Sequence, residues 1–483
     1  MKYRWNKLYA KINSLNDGRN GPKRTEFIIA GIIMLVALFS FCFMKDFSLT
    51  IRQSLLFNSS LFNGKVFRFY SVINDHAVAG FFEGWPASLL SGANYSIINY
   101  ATYGLVCMPL YLIDKVFKLS LSLVWYEVII KIFYAVITVG MVWTIKRICE
   151  LLHFDNVKKK WTIFMFMTSS VFIFSSLMIN HLDIFSLFFM LLAIKEVIAK
   201  NRKKELLYFM LAVFYKPFVL IGIIPMILLR EKRIFHIAKD IIIICSGIIF
   251  QNVVYHFDSG YALVKSYMNS AYSFLDKFLI SGYGMQRNNY LGTVSFFVVT
   301  YVLICVAAYC LKNKKEKYYL FALPFLSWCS FILFVQWHPN WLLLIAPSMI
   351  FMTVYTDKIK VFGIIECVFN TFAILVTAIG WEHNYNESMI DGGILSQILG
   401  LTSNPDASVW KFLRYKVSIP IDIYGSLLSA SLICMALLVV YEIWRRKYHP
   451  VKEPVIVYER SIMWLRIVPL LLFIGYSFIT LFL

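Results

Sequence analysis

The sequence predicts an all-α polytopic membrane protein, and three observations carry that expectation. Of 483 residues, 59% are hydrophobic and only 15% are charged, far from the balance of a soluble domain. Apolar runs recur along the chain, several near or above the roughly 18 residues that mark a membrane-spanning helix. Basic residues (47) outnumber acidic ones (27), yet they cluster in short links between the apolar runs. That is the cytoplasmic-side excess of Lys and Arg found in membrane proteins, and it points away from nucleic acid as a partner.

The apolar runs fall near 27–44, 122–145, 161–179, 184–198, 206–229, 241–255, 293–311, 319–335, 341–356, 361–380, 421–441 and 462–483. Each should be helical, because a backbone in hydrocarbon must satisfy its own hydrogen bonds. With the N-terminus inside, 31 basic residues fall in the inner links and 13 in the outer segments. This threading gives a cytoplasmic tail (1–26), a transmembrane core (27–356) with a long first outer loop (45–121), and additional helices (357–483) with an outer loop at 381–420. The sequence after the first run, "KDFSLTIRQS", has no small-x-small cleavage motif, so that run reads as a retained helix.

Two stretches do not fit simple crossings. The run 100–118 cannot cross fully without placing "KRICELLHFDNVKKK" (146–160) outside, so it is expected on the outer surface. The run 206–229 has basic links at both ends. Its centre, "YKPF" (215–218), contains a proline that removes a backbone donor and disfavours helical geometry at the residue before it. A broken hairpin is expected there, with eleven full crossings elsewhere and the C-terminus outside. The stretch 263–279 repeats apolar residues at helical spacing and is expected to lie on the interface. Nine cysteines form no CxxC pair, so neither a disulfide framework nor a thiolate metal cage is predicted.

This threading sorts the remaining polar residues to one side. Asp75 and Glu83 lie in "NDHAVAGFFEGW" (74–85), His181 and Asp183 in "NHLD" (180–183), Lys216 in "YKPF", and His338 and Asn340 in "QWHPNW" (336–341). All fall on the outer face, from four separated stretches. Some have plain alternatives. Asp183 could cap the helix that follows it, and Trp337 and Trp341 read as interface anchors. Glu127 and Lys131 are four apart and can pair along one helix face; Glu366 is a lone acid inside an apolar run. The ammonium of Lys216 near membrane depth is costly and points to a partner or a function. A carboxylate can deprotonate an attacking hydroxyl, and Lys with His can hold a phosphate that leaves with its lipid.

The ordered set resembles the integral-membrane glycosyltransferases of the GT-C type. The similarity is to polyprenyl-phosphate-sugar-dependent bacterial members and to the glycosylphosphatidylinositol mannosyltransferase I group. It rests on a first helix followed by a long outer loop with an acid, the "SGANY" element (91–95), the "NHLD" turn, "YKPF" ahead of "IIPMILL" (223–229), and "QWHPNW" between two late helices. It covers roughly residues 20–355. "NHLD" has His181 where the pattern often has glutamine, and the first loop lacks a tight DxD.

The resemblance implies a GT-C-like bundle of about 11–13 transmembrane helices with outer-face juxtamembrane helices. It also implies transfer of a sugar from a polyprenyl-phosphate donor to a cell-envelope glycan or lipid-linked acceptor, with inversion, at the outer face of a bacterial plasma membrane. Asp75, then Glu83, would be the base; Lys216 and His338 would hold the donor phosphate; His181, Asp183, Asn340 and Tyr95 would shape the sugar pocket. No nucleotide cofactor is implied, and for most members no metal, though a divalent ion stays open. Alternatives are a transporter or flippase of lipid-linked glycans, which should show internal repeats and midplane polar residues, or another envelope polymerase, ligase or acyltransferase.

Overall fold

The computed structural model describes residues 16–78, 95–262, 284–286, 293–311, 317–356, 358–380, 387–408, 411–448 and 458–482. They form a helical membrane protein. In chain order the main helices are α1 (Arg24–Ser40), α2 (Met44–Phe62), α3 (Phe69–Val78), α4 (Ile97–Phe117), α5 (Leu123–Leu151), α6 (Asn156–Met167), α7 (Asp183–Ile198), α8 (Arg202–Tyr215), α9 (Leu220–Arg230) and α10 (Ile234–Val254). They continue with α11 (Phe296–Cys310), α12 (Tyr319–Phe334), α13 (Ala346–Tyr355), α14 (Ile359–Gly380), α15 (Ile421–Tyr448) and α16 (Val468–Ile479). A short antiparallel hairpin pairs β1 (Gly284–Gln286) with β2 (Thr293–Ser295).

Among the described residues, six helical stretches are long and apolar enough to cross a membrane: α4, α5, Asn156–Met178, α10, α14 and Ile421–Arg446 within α15. Five further apolar helices are shorter, including Pro217–Arg230 and Pro339–Tyr355. Prolines explain part of the shortening: Pro217 begins a 3₁₀ turn that splits the run 206–229 into two pieces, and Pro339 begins a 3₁₀ turn that takes up the first residues of the run 341–356. α4, which the count of basic residues puts on the outer surface, also has the length and composition of a helix able to cross. Counting basic residues gives no weight to the apolar face that Leu105, Leu112, Ile113, Val116 and Phe117 expose. The stretch 263–279 lies outside the described residues.

The break in the run 206–229 is present. Lys216 is extended (φ −148°, ψ 105°) between α8 and the Pro217 turn. The two arms close at the far end, where Arg202 and Arg230 both pair with Glu205 and Arg202 also reaches Asp240. Other basic links meet at that same end: Lys317 donates to Leu151 O at 2.7 Å, Arg446 to Tyr355 O at 3.0 Å and Arg460 to Asp17 O at 2.6 Å. The helix ends at 44–46, 181–183, 216–218 and 338–341 therefore lie together at the opposite end.

Three intramembrane charges find partners that spacing does not reveal. Glu127 and Lys131 do not pair with each other. Glu127 accepts from Ser48 Oγ at 2.6 Å and from Gln397 Nε2 at 3.1 Å, while Lys131 donates to Leu38 O and Phe41 O, each at 2.8 Å. Unpaired carbonyls at the end of α1 attract a cation better than a carboxylate already supplied with two donors. Glu366 is not alone: fully buried, it forms a two-point ion pair with Arg466 at 2.7 and 2.5 Å.

Candidate functional site

At the end opposite the basic links, five segments converge. Asp46 sits in the first turn of α2, where the helix dipole favours a carboxylate. Tyr95 directly precedes α4. His181 and Asp183 flank the turn that opens α7. That turn follows a π-helical stretch, Ile173–Met178, and contains Asn180 at φ +57°; π-bulges occur often at functional sites. Lys216 occupies the α8–α9 break, and His338 and Asn340 the turn after α12.

The Tyr95 hydroxyl donates to Asp46 Oδ2 at 3.0 Å and lies 3.1 Å from His181 Nε2. His181 Nε2 is 3.6 Å from Asp46 Oδ2, and its Nδ1 is 3.2 Å from Asp183 Oδ1, so one ring bridges two carboxylates. The Asp183 amide donates to the same Nδ1 at 3.3 Å. Lys216 Nζ reaches Asp183 Oδ1 at 2.9 Å, and Asn340 Nδ2 donates to Asp183 Oδ2 at 2.9 Å. The Lys216 ammonium also lies 5.6 Å from the ring centres of both Phe218 and Trp341. Aromatic faces stabilise a cation at that range. Beneath the turn, Tyr103 and Tyr134 share a 2.5 Å hydrogen bond, and Tyr134 donates to Asn180 O.

Burial is graded across the cluster. Asp183 and His181 side chains are 2% and 6% exposed and Lys216 12%, whereas Asp46 is 43% exposed. Asp46 is therefore the carboxylate that an entering hydroxyl can meet. Burial opposes charge on Asp46, but His181, Tyr95 and Lys216 outweigh it and hold its carboxyl below the usual range. Burial likewise opposes charge on His181, yet Asp183 and Asp46 raise its imidazole above the ordinary histidine value. His338 moves the other way: burial, then Lys216 and His181, lower it. The cluster thus pushes the two imidazoles in opposite directions, His181 towards its charged form and His338 towards its neutral form.

The His181 shift makes a prediction. A raised folded-state value contributes stability that is present below about pH 6.5 and lost as pH rises through the folded value. The thermal midpoint should fall across that alkaline step, and His181→Gln should remove the step. An unchanged step in the variant would assign it to another group.

The residues singled out in the sequence divide clearly. Tyr95, His181, Asp183, Lys216 and Asn340 make direct contacts with one another. His338 stands beside them, its ring 5.1 Å from that of Trp341. Asp183 makes no side-chain cap to α7; Lys216 and Asn340 occupy its oxygens instead. Trp341 is no simple depth marker: it is 7% exposed and packs 4.7 Å from Phe218, forming the wall beside Lys216. Asp75 is exposed on α3. On α3 the Tyr70 and Ser71 amides donate to Asp258 at 3.0 and 3.1 Å and the Tyr70 hydroxyl donates to Tyr95 O at 3.3 Å, but none of the cluster contacts above involves Asp75. Glu83 lies outside the described residues. Asp46 was missed. Its only sequence signal is an acid directly after the first apolar run, in "KDFSLTIRQS".

Among the described residues, no three His, Cys, Asp or Glu side chains are placed to hold a metal ion; Lys216 is the cation facing Asp183. Fold and site together define a helical membrane protein with a charged, aromatic-walled cluster at the end of its bundle away from the basic links. No family model, characterised protein or solved structure matches this chain.

Proposed function

We propose that the chain is a GT-C-type membrane glycosyltransferase that moves a sugar from a polyprenyl-phosphate donor to an envelope glycan or lipid-linked acceptor at the outer membrane face. The observation that carries this reading is the convergence of one accessible carboxylate, Asp46, with the Lys216 ammonium and two histidines. The acceptor hydroxyl attacks the anomeric carbon and Asp46 takes its proton. The bond from that carbon to the phosphate oxygen breaks, and its electron pair leaves on polyprenyl phosphate. Attack opposite the leaving group inverts the centre. An ammonium has three donors, of which Asp183 takes one; Lys216 and His338 meet the phosphate as its charge grows. Tyr95 and Asn340 border the sugar. Asp46 takes the base role first assigned to Asp75, because it lies in the same outer loop and in the cluster.

The test is transfer by the purified chain in nanodiscs with labelled polyprenyl-phosphate sugars. Lys216→Gln keeps a donor for Asp183 but removes the charge. It should raise the donor KM by roughly 10- to 100-fold, the size of a lost charged hydrogen bond. Absence of transfer with every polyprenyl-phosphate sugar, together with movement of lipid-linked glycan across the bilayer, would favour the flippase instead.

A further inference from the structure

The elbow between α1 and α2, which delivers Asp46 to the cluster, is gripped on several sides. From α5, Lys131 holds the carbonyls of Leu38 and Phe41 at 2.8 Å, and Glu127 one turn earlier holds Ser48 Oγ at 2.6 Å. From the turn before His181, Ile179 O accepts the Phe43 amide at 3.3 Å. The remaining contacts come from 387–400, far along the chain. Met389 O accepts the Cys42 amide at 2.7 Å. Gly393 packs so tightly on the elbow that a Cβ there would lie 2.1 Å from Ser40 O. Gln397 donates to Glu127 Oε2 at 3.1 Å and to Gly392 O at 2.8 Å.

Glu127 is 1% exposed and Gln397 half-buried, so the Gln397–Glu127–Ser48 chain runs through the interior. Ser48 is two residues beyond Asp46. Residues two apart on a helix face different directions. An anchor that draws Ser48 inward therefore sets the rotation of α2 that turns Asp46 towards Tyr95 and His181. A buried carboxylate has no water to replace a lost donor, so loss of Gln397 leaves Glu127 free to shift and Ser48 with it.

We infer that the 387–400 segment is a positioning element for Asp46, acting through Gln397, Glu127 and Ser48. This rests on the base role proposed for Asp46, and gives the C-terminal third of the chain a part in the same site. Gln397→Ala and Ser48→Ala should each lower kcat by roughly 10- to 100-fold with donor KM little changed, as expected when a reacting group moves by about an ångström. Ser48→Thr, which keeps the hydroxyl, should recover most of that loss.

A second readout needs no turnover. In the full chain in nanodiscs, Asp46→Cys is labelled with a membrane-impermeant maleimide, with and without Gln397→Ala. Release of the elbow should change the labelling rate several-fold, on the order of the population shift from losing one buried charged hydrogen bond. An unchanged rate overturns the inference, as does a changed rate with unaltered kcat in Gln397→Ala. If the wild-type chain transfers no sugar, the functional reading fails, and the labelling comparison alone decides whether the segment positions residue 46.

Discussion

Asp46→Asn is expected to lower kcat by roughly 10²- to 10⁴-fold, the usual span for removing a general base, while Asp75→Asn leaves turnover near wild type. The pair of variants separates two acids in the segment between α1 and α4. Asn keeps the shape of the side chain and can still meet Tyr95, so the bundle should stay folded. What it loses is the capacity to take a proton. Asp46 is already held ionised by His181, Tyr95 and Lys216, so wild-type activity should persist on the acid side down to the ordinary carboxylate range of about 4 and fall below it. The check is single-turnover transfer with a polyprenyl-phosphate donor. Near-normal turnover in Asp46→Asn, with loss in Asp75→Asn, would return the base to Asp75 and leave the cluster a binding or structural role.

Arg466→Met should destabilise the chain by about 3–5 kcal/mol, the cost of leaving a buried charge without its partner. Glu366 and Arg466 are both fully buried and bonded at two points. With Arg466 gone, Glu366 must either stay charged in a dry interior or take up a proton. The double variant Glu366→Leu with Arg466→Met should recover most of the loss, because removing both charges removes the desolvation penalty as well as the attraction. The Arg466 carbonyl, which accepts from Ser170 Oγ and Asn370 Nδ2, remains in both. Denaturant unfolding in detergent measures the two variants. Equal loss in the single and double variants would show that packing around the guanidinium, not the ion pair, matters there.

Local features were legible from the sequence. The helical class follows from apolar runs that must close their own hydrogen bonds in lipid, and the α8–α9 break follows from Pro217, which acts on the residue beside it. Polar residues between apolar runs stood out against a greasy background, which is why Tyr95, His181, Asp183, Lys216, His338 and Asn340 could be named and, with His338 at the edge, come together in space. Asp46 did not stand out. It is one acid beside Lys45 at the start of a long polar loop, and nothing local distinguishes it from Asp75.

Which buried groups pair depends on how distant helices pack. Glu127 and Lys131 have the spacing of a helical pair, yet Glu127 meets Ser48, 79 residues away, and Gln397, 270 away. Glu366 finds Arg466 at a separation of 100. A spacing rule weighs an exposed pair worth a few tenths of a kcal/mol. In a dry interior every donor and acceptor must be satisfied at a cost of several times that, so the partner is whichever complementary group the packing brings closest. Local chemistry along the chain sets which segments are helical and which polar residues sit at their ends; the packing of distant helices sets which acid faces the cluster.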